Sequence, residues 1–184
     1  MRITGGRLKS RPLLGPGSNK IRPTSDRLRQ AIFNILAHAY GNPAEGARVI
    51  DLFAGTGAMG LEAFSRGAGF VLFVERAADA CRIIRANMQA LGAANAVRLR
   101  QGDARKLGMA EAGEAYDLAI LDPPYGRGFV APALTSLREG SWLAKDGLVV
   151  IEEQAGPQIE LPQGYALLGR RIYGDTQIVL AQAG

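Results

Sequence analysis

From residue 48 onward the chain alternates between short, continuous apolar runs and longer stretches with helical periodicity. Arg48–Phe53, Phe70–Glu75, Val97–Arg100, Tyr116–Leu121 and Leu148–Glu152 are the apolar runs and predict strands. Met59–Arg66, Ala77–Leu91 and Val130–Glu139 predict the helices between them. Apolar residues at successive positions, rather than every second one, mean that both faces of these strands are covered. Strand–helix alternation at this spacing gives a parallel sheet with right-handed crossovers. The end of the chain departs from this rhythm. Tyr165–Ile172 and Thr176–Ala181 predict strands joined only by Tyr173-Gly174-Asp175, too short for a crossover, so they pair as an antiparallel hairpin at the sheet edge. Upstream, Leu28, Ile32, Ile35, Leu36 and Ala39 recur at helical spacing, from a cap at Thr24 or Ser25 to Gly41. Arg27 and Arg29 are expected on that helix's open side. The expectation is an α/β, Rossmann-like fold: a mostly parallel seven-stranded sheet, a C-terminal antiparallel hairpin, and helices on both faces.

The first 22 residues carry a different signal. Gly5-Gly6, Pro12, Pro16-Gly17 and Pro23 block helix there, so residues 1–22 read as an extended basic arm and 23–184 as the domain. Residues 1–30 hold eight basic side chains against Asp26, a net of +7 within an overall +5. The rest of the chain therefore sums to −2. A basic arm on a neutral-to-acidic body points to a polyanion, most simply nucleic acid, with Arg2, Arg7, Lys9, Arg11, Arg22, Arg27 and Arg29 as the contacts. With 184 residues and 47% hydrophobic content the chain can bury a core, which excludes a disordered or fibrous protein. One cysteine, Cys81, excludes an internal disulfide and a cysteine cluster for zinc, and fits a reducing cytosol. The lone His38 has no partners at metal-ligand spacing, so no metal is expected. No run reaches membrane-spanning length and the N-terminus lacks an apolar signal core, so a cytoplasmic protein with no membrane partner is expected. Monomer is the default expectation.

The strand ends carry the chemistry. Val49–Gly60 is strand, glycine-rich turn and helix start, with Gly55, Gly57 and Gly60 matching G-x-G-x-x-G. Glycines there let backbone approach a ligand where a Cβ would clash. Glu75 closes the next strand, 20 residues after Gly55, where a carboxylate can accept both ribose hydroxyls of an adenosine. The glycines alone do not choose between a dinucleotide and S-adenosylmethionine. Asp51 favours the latter, since a carboxylate repels a pyrophosphate and attracts an α-ammonium. Asp103, after the third strand, can accept from an adenine amine; Phe53, Arg76 and Ala104 adjoin these residues and complete the expected cofactor-binding set.

The fourth strand runs into Asp122-Pro123-Pro124-Tyr125, the most specific signal in the chain. Two prolines rigidify the loop and remove two donors, leaving carbonyl acceptors. Asp122 and the Pro123 carbonyl can each accept one hydrogen of an aryl amine while Tyr125 stacks on its ring. Such an amine is a poor nucleophile because its lone pair is delocalised into the ring; accepting both hydrogens returns density to nitrogen. Preorganised acceptors also stabilise the cationic amine as it forms. Asp122, Pro123, Pro124 and Tyr125 are therefore the candidate catalytic residues.

Asp51–Gly57 together with Asp122–Tyr125 resembles the class I S-adenosylmethionine-dependent methyltransferases that act on amino groups. With Arg2–Gly6, Arg22–Arg29 and Ala31–Asn34 in the same order and spacing, the chain is similar over nearly its whole length to the RsmD family of 16S rRNA guanine-N2 methyltransferases. That resemblance implies S-adenosylmethionine as donor and one guanine of 16S rRNA, within a small-subunit ribosomal particle, as acceptor. It implies Asp51, Gly55 and Gly57 on the methionine part, Glu75 on ribose, Asp103 on adenine, Asp122 to Tyr125 on the target base, and Arg22–Arg29 bordering cofactor and RNA. Gln30 stands where the family pattern leads one to expect Glu. Three alternatives remain open on the residues: an adenine-N6 methyltransferase using the same tetrapeptide, a nicotinamide-dependent oxidoreductase, and a non-catalytic RNA-binding assembly factor.

Overall fold

Ser25 starts the first helix. It is extended (φ −60°, ψ 149°) and its side chain accepts the Leu28 N–H at 3.1 Å, satisfying one donor of the first turn. Helix α1 (Asp26–Tyr40) then ends at Gly41, left-handed at φ 66°. The computed structural model describes residues 1–16 and 24–184. Beyond α1 the order is β1 (Arg48–Leu52), α2 (Ala58–Ser65), β2 (Phe70–Glu75), α3 (Ala78–Ala90), β3 (Val97–Gln101), β4 (Tyr116–Leu121), α4 (Val130–Glu139), β5 (Leu143–Gln154), β6 (Tyr165–Tyr173) and β7 (Thr176–Ala183).

The seven strands form one sheet in the order β3-β2-β1-β4-β5-β7-β6. β1 to β5 run parallel to one another, and β7 inserts antiparallel between β5 and β6. Helices α1, α2 and α3 cover one face through Ile32, Phe33, Leu36, Leu61, Phe64 and Ile84. Helix α4 covers the other through Leu134 and Leu137, with Trp142 and Tyr116 stacked at 6.0 Å beside it. Two covered faces explain the uninterrupted apolar runs. The chain runs outward from β1 in both directions, so the carboxyl ends of β1 and β4 flank a topological switch point, where open α/β sheets leave a crevice. Among the described residues no helix is long and apolar enough to cross a membrane.

Three expectations change. Lys145-Asp146-Gly147 reads as a turn preceding the fifth strand, yet β5 already begins at Leu143; Asp146 sits at φ 63° inside a register shift opposite Tyr116/Leu118. The N-terminal segment is not extended. Arg2 and Pro12 bridge as antiparallel partners, and Ile3 and Leu13 are buried in the core shared with α1 and α2. Gly6 (φ 73°) passes so close to the end of α2 that a Cβ there would lie 2.0 Å from the Ser65 carbonyl oxygen. Residues 1–13 make a docked hairpin, not an extended arm; residues 17–23 lie outside the described residues.

Third, Arg29 is fully buried instead of facing solvent. Positions 29, 32, 33 and 36 share one helix face, so its stem goes inside with Ile32, Phe33 and Leu36. Its guanidinium pairs with Glu62 (3.3 Å) and Asp26 (2.7 Å) and donates to the Thr24 and Arg2 carbonyls. Glu62 in turn accepts from the Thr4 N–H and hydroxyl and from Arg66. This network fastens the hairpin to α1 and α2, and Arg29 is not available to a polyanion.

Candidate active site

The crevice at the strand ends is a cavity of about 1280 Å³. Phe53, Gly55, Glu75, Arg76, Asp103, Ala104, Asp122, Pro123, Pro124 and Tyr125 all line it, and Arg27 joins them from α1. Residues as far apart in sequence as Phe53 and Tyr125 meet here because β1, β2, β3 and β4 end side by side.

The glycine turn is braced from below. Glu75 accepts the Gly55 N–H at 2.9 Å with one carboxylate oxygen and the Ala77 N–H at 2.7 Å with the other. It thereby ties the ends of β1 and β2 together and keeps a carboxylate on the cavity wall. Phe53 is itself left-handed (φ 59°) and stacks on Phe129, ring centroids 6.1 Å apart. Arg105 lies over the other aromatic of that pair, 4.2 Å from the Phe129 ring, and holds Asp103 through two hydrogen bonds of 2.9 and 2.6 Å. That grip drives the Asp103 carboxyl down to about 2, so it is an anion at any physiological pH.

Two expected ligands are not on the wall. Asp51 is 1% exposed and turns under α2, where it accepts the Gly60 N–H at 2.8 Å. Burial pushes its carboxyl up to about 8, with Glu75 adding to the rise. Gly57 is left-handed at φ 77° and caps α2, and a Cβ there would meet Ile84 at 3.3 Å and Phe73 at 3.4 Å. Gly60 likewise packs α2 on the sheet, a Cβ there falling 2.3 Å from Phe73. Of the expected RNA contacts, Arg2, Arg7, Lys9 and Arg11 are exposed on the N-terminal hairpin, with Arg7 laid over Phe64. Arg22 lies outside the described residues.

The tetrapeptide end of the cavity is a hydrogen-bonded chain. The Thr24 hydroxyl is 2.7 Å from Asp122 Oδ2 and 3.1 Å from Glu152 Oε2. The Tyr125 hydroxyl donates to Glu152 Oε1 at 2.9 Å and lies 3.0 Å from the Thr176 hydroxyl. Tyr125 is thus fixed at its tip, leaving its ring as a rigid wall. Burial, then the nearby Glu152 charge, push the Asp122 carboxyl well above the ordinary carboxylate range, and the Thr24 hydrogen bond opposes them. The same surroundings push the Tyr125 phenol up, so it stays protonated. Thr24, Phe129, Glu152 and Thr176 are functional neighbours the sequence pattern did not single out. Thr24 reads as a helix cap and Glu152 as the end of a strand; the available signal was that Glu152, like Asp122, closes a central parallel strand.

A sheet of this order with its site at the β1/β4 switch point is the class I methyltransferase fold. The family model described as Conserved hypothetical protein 95 matches residues 1–182, and the chain belongs to that family, the RsmD family. It is 32% identical over 183 residues to Ribosomal RNA small subunit methyltransferase D of Escherichia coli strain K12, covering 99% of this chain and 89% of that one. The protein of the same description from Haemophilus influenzae is 30% identical, covering 99% and 93%. A solved structure titled "Putative methyltransferase yhhF from Escherichia coli" superposes with a TM-score of 0.82 at 28% identity, covering 100% of this chain and 97% of that one.

Proposed function

We propose that this protein transfers a methyl group from S-adenosylmethionine to the exocyclic N2 amine of one guanine in 16S rRNA, acting on a small-subunit particle. Family membership supports the class of reaction, and the Asp122–Tyr125 wall of the cavity is the observation that carries the acceptor chemistry. The donor fits the other end. A carboxylate at the β2 end, a turn built on Gly55 and a flat aromatic pair at Phe53 and Phe129 suit a ribose, an extended polar tail and a purine. Glu75 would hold the ribose hydroxyls and Asp103 the adenine amine, with Phe53, Gly55, Arg76 and Ala104 enclosing them. Asp51 acts beneath the turn, holding the start of α2 through Gly60. When bound, this donor supplies a methyl on a positively charged sulfur, already a strong electrophile.

The protein's task is then to orient and activate the amine. Tyr125 offers its ring to the base. Asp122 and the Pro123 carbonyl accept the two amine hydrogens, localising the lone pair toward the methyl. As the N–CH3 bond forms and the S–CH3 bond breaks, positive charge appears on nitrogen, and the preplaced acceptors stabilise it. The methylated ammonium is acidic and gives its proton to Asp122. Arg27 stands at the rim of the cavity, and the salt bridge of Arg2 to Asp26 (3.8 Å) brings the hairpin's start beside it. Arg7, Lys9 and Arg11 continue the basic surface along the hairpin toward the C-terminal ends of α2 and α3, and together they form the phosphate-binding surface.

The test is to incubate the protein with tritiated S-adenosylmethionine and small-subunit particles from cells lacking it, then map the label. N2-methylguanosine at one 16S position is expected. Label on adenine, or none on the RNA, overturns the reading.

A further inference from the structure

The cavity contains a second carboxylate that the transfer chemistry leaves without a task. Leu121, the last residue of β4, pairs with Ile151 of β5, so Asp122, the next residue, comes beside Glu152 of β5 at the mouth of the crevice. One hydroxyl, that of Thr24, reaches both carboxylates, at 2.7 Å from Asp122 and 3.1 Å from Glu152, so the two stand close together. Both line the cavity, and the Thr24 hydroxyl bridges them. Glu152 is 5% exposed, and the Tyr125 hydroxyl fixes its Oε1. The Thr24 and Tyr125 hydroxyls hold the two carboxylates side by side, so together they present adjacent acceptors to one edge of a ligand.

The Watson–Crick edge of guanine matches them. It presents N1–H beside N2–H2, adjacent donors on one edge. Adenine presents N6–H2 beside a bare N1, whose lone pair a carboxylate repels. Enzymes that take a base out of its stack read this edge by hydrogen bonds. With Asp122 on the amine, the adjacent acceptor belongs at N1. We propose that Glu152 is the residue that selects guanine, by accepting the N1–H of the target base. This rests on the reading of the site as a guanine-N2 methyltransferase. Tyr125 and Thr24 serve it as positioning residues: each directs a hydroxyl at the Glu152 carboxylate and fixes its rotamer, while Asp122 is held in the same bridge.

The experiment uses small-subunit particles reconstituted with ligated 16S RNA carrying guanosine, 2-aminopurine riboside or 2,6-diaminopurine riboside at the mapped nucleotide. Both analogues keep the N2 amine and lack N1–H. Wild type is expected to prefer guanosine by about 100-fold or more in kcat/KM, because an analogue lacking the N–H leaves the buried acceptor unpaired. In Glu152→Gln the side-chain amide can donate to a bare N1, so the preference is expected to narrow to within about 10-fold, with S-adenosylhomocysteine affinity unchanged. Equal use of guanosine and either analogue by wild type overturns the proposal. So does an equal loss on all three RNAs in Glu152→Gln with the ratio intact, which makes Glu152 a structural acid. If Glu152→Gln fails to bind S-adenosylhomocysteine, the wild-type ratios decide, since rejection of both analogues is required. No methylation of guanosine by wild type breaks the underlying reading instead.

Discussion

The Thr24 hydroxyl, at the N-terminal edge of α1, reaches across 98 positions of sequence to Asp122 and holds its carboxylate at 2.7 Å. The start of α1, ahead of the first strand of the sheet, therefore contributes directly to the protonation of the group proposed to accept the amine. Asp122 must be ionised to accept an N–H, and its carboxyl titrates above the ordinary range. The acid limb of kcat/KM is expected to lie correspondingly high and to fall as pH drops through that value. The Thr24 hydrogen bond lowers this pKa, so Thr24→Val removes a lowering influence and shifts the acid limb toward alkaline pH. A pH–rate series on both proteins measures it; an unshifted limb means the hydroxyl does not tune Asp122.

Asp122→Asn keeps the shape and one acceptor oxygen but loses the charge that stabilises the developing ammonium. A loss of about 10²–10³-fold in kcat is expected, by analogy with removal of one preorganised electrostatic contact. S-adenosylhomocysteine affinity, measured by calorimetry, is expected to stay within several-fold, because Asp122 faces the acceptor end of the cavity. Full turnover by this variant would remove Asp122 from the mechanism.

Arg29→Ala is expected to act on stability. The guanidinium is fully buried, and its removal empties a large buried volume, takes one partner from the buried Glu62, which keeps Arg66 and Thr4, and unties Thr24 and Arg2, at a cost of about 3–5 kcal/mol. Urea denaturation reads this directly. A variant as stable as wild type, but weaker on RNA, would restore Arg29 to the surface role its sequence position suggests.

That case shows where the sequence was legible and where it was not. Every strand and helix boundary except that of β5 lies within two residues of the periodicity, because apolar runs and glycine caps are local signals. Asp122–Tyr125 and Glu75 were also readable, as strand-end residues of a parallel sheet face the crevice whatever their neighbours. Arg29 was misread because charge outweighed its place at i−3, i−4 and i−7 from Ile32, Phe33 and Leu36. Gly57 and Asp51 carry ligand-like patterns yet face inward, since the turn's backbone conformation sends their side-chain directions beneath α2. Glu152 and Thr24 depend on which strands and helices become neighbours, information spread over the whole chain.

Asp51 gives a stability prediction with a definite sign. In the unfolded chain its carboxyl ionises near 4, whereas in the folded protein it holds its proton up to about 8. Between those values the native state binds more protons than the unfolded state, so stability falls as pH rises, and it levels off above about 8. Asp51→Asn preserves an acceptor for the Gly60 N–H and cannot ionise, so its stability curve is expected to be flatter over that window. Denaturant midpoints from pH 4 to 9 test this; identical slopes would show that Asp51 is ionised in the native state.

The N-terminal hairpin requires a charge substitution and not a truncation. Ile3 and Leu13 belong to the core, and Glu62 accepts from Thr4, so deletion would damage the domain along with any RNA contact. Arg7, Lys9 and Arg11 are exposed, and replacing all three by Gln removes three positive charges without touching Ile3 or Leu13. Each lost phosphate contact reduces the slope of log affinity against log salt by roughly 0.7–0.9. The triple variant is expected to bind 16S RNA more weakly, with a slope lower by about 2 to 3, and to keep its thermal midpoint and S-adenosylhomocysteine affinity. An unchanged slope would confine this hairpin to the structural role its buried side chains already fill, and would leave Arg27, at the rim of the cavity, as the phosphate contact to test next.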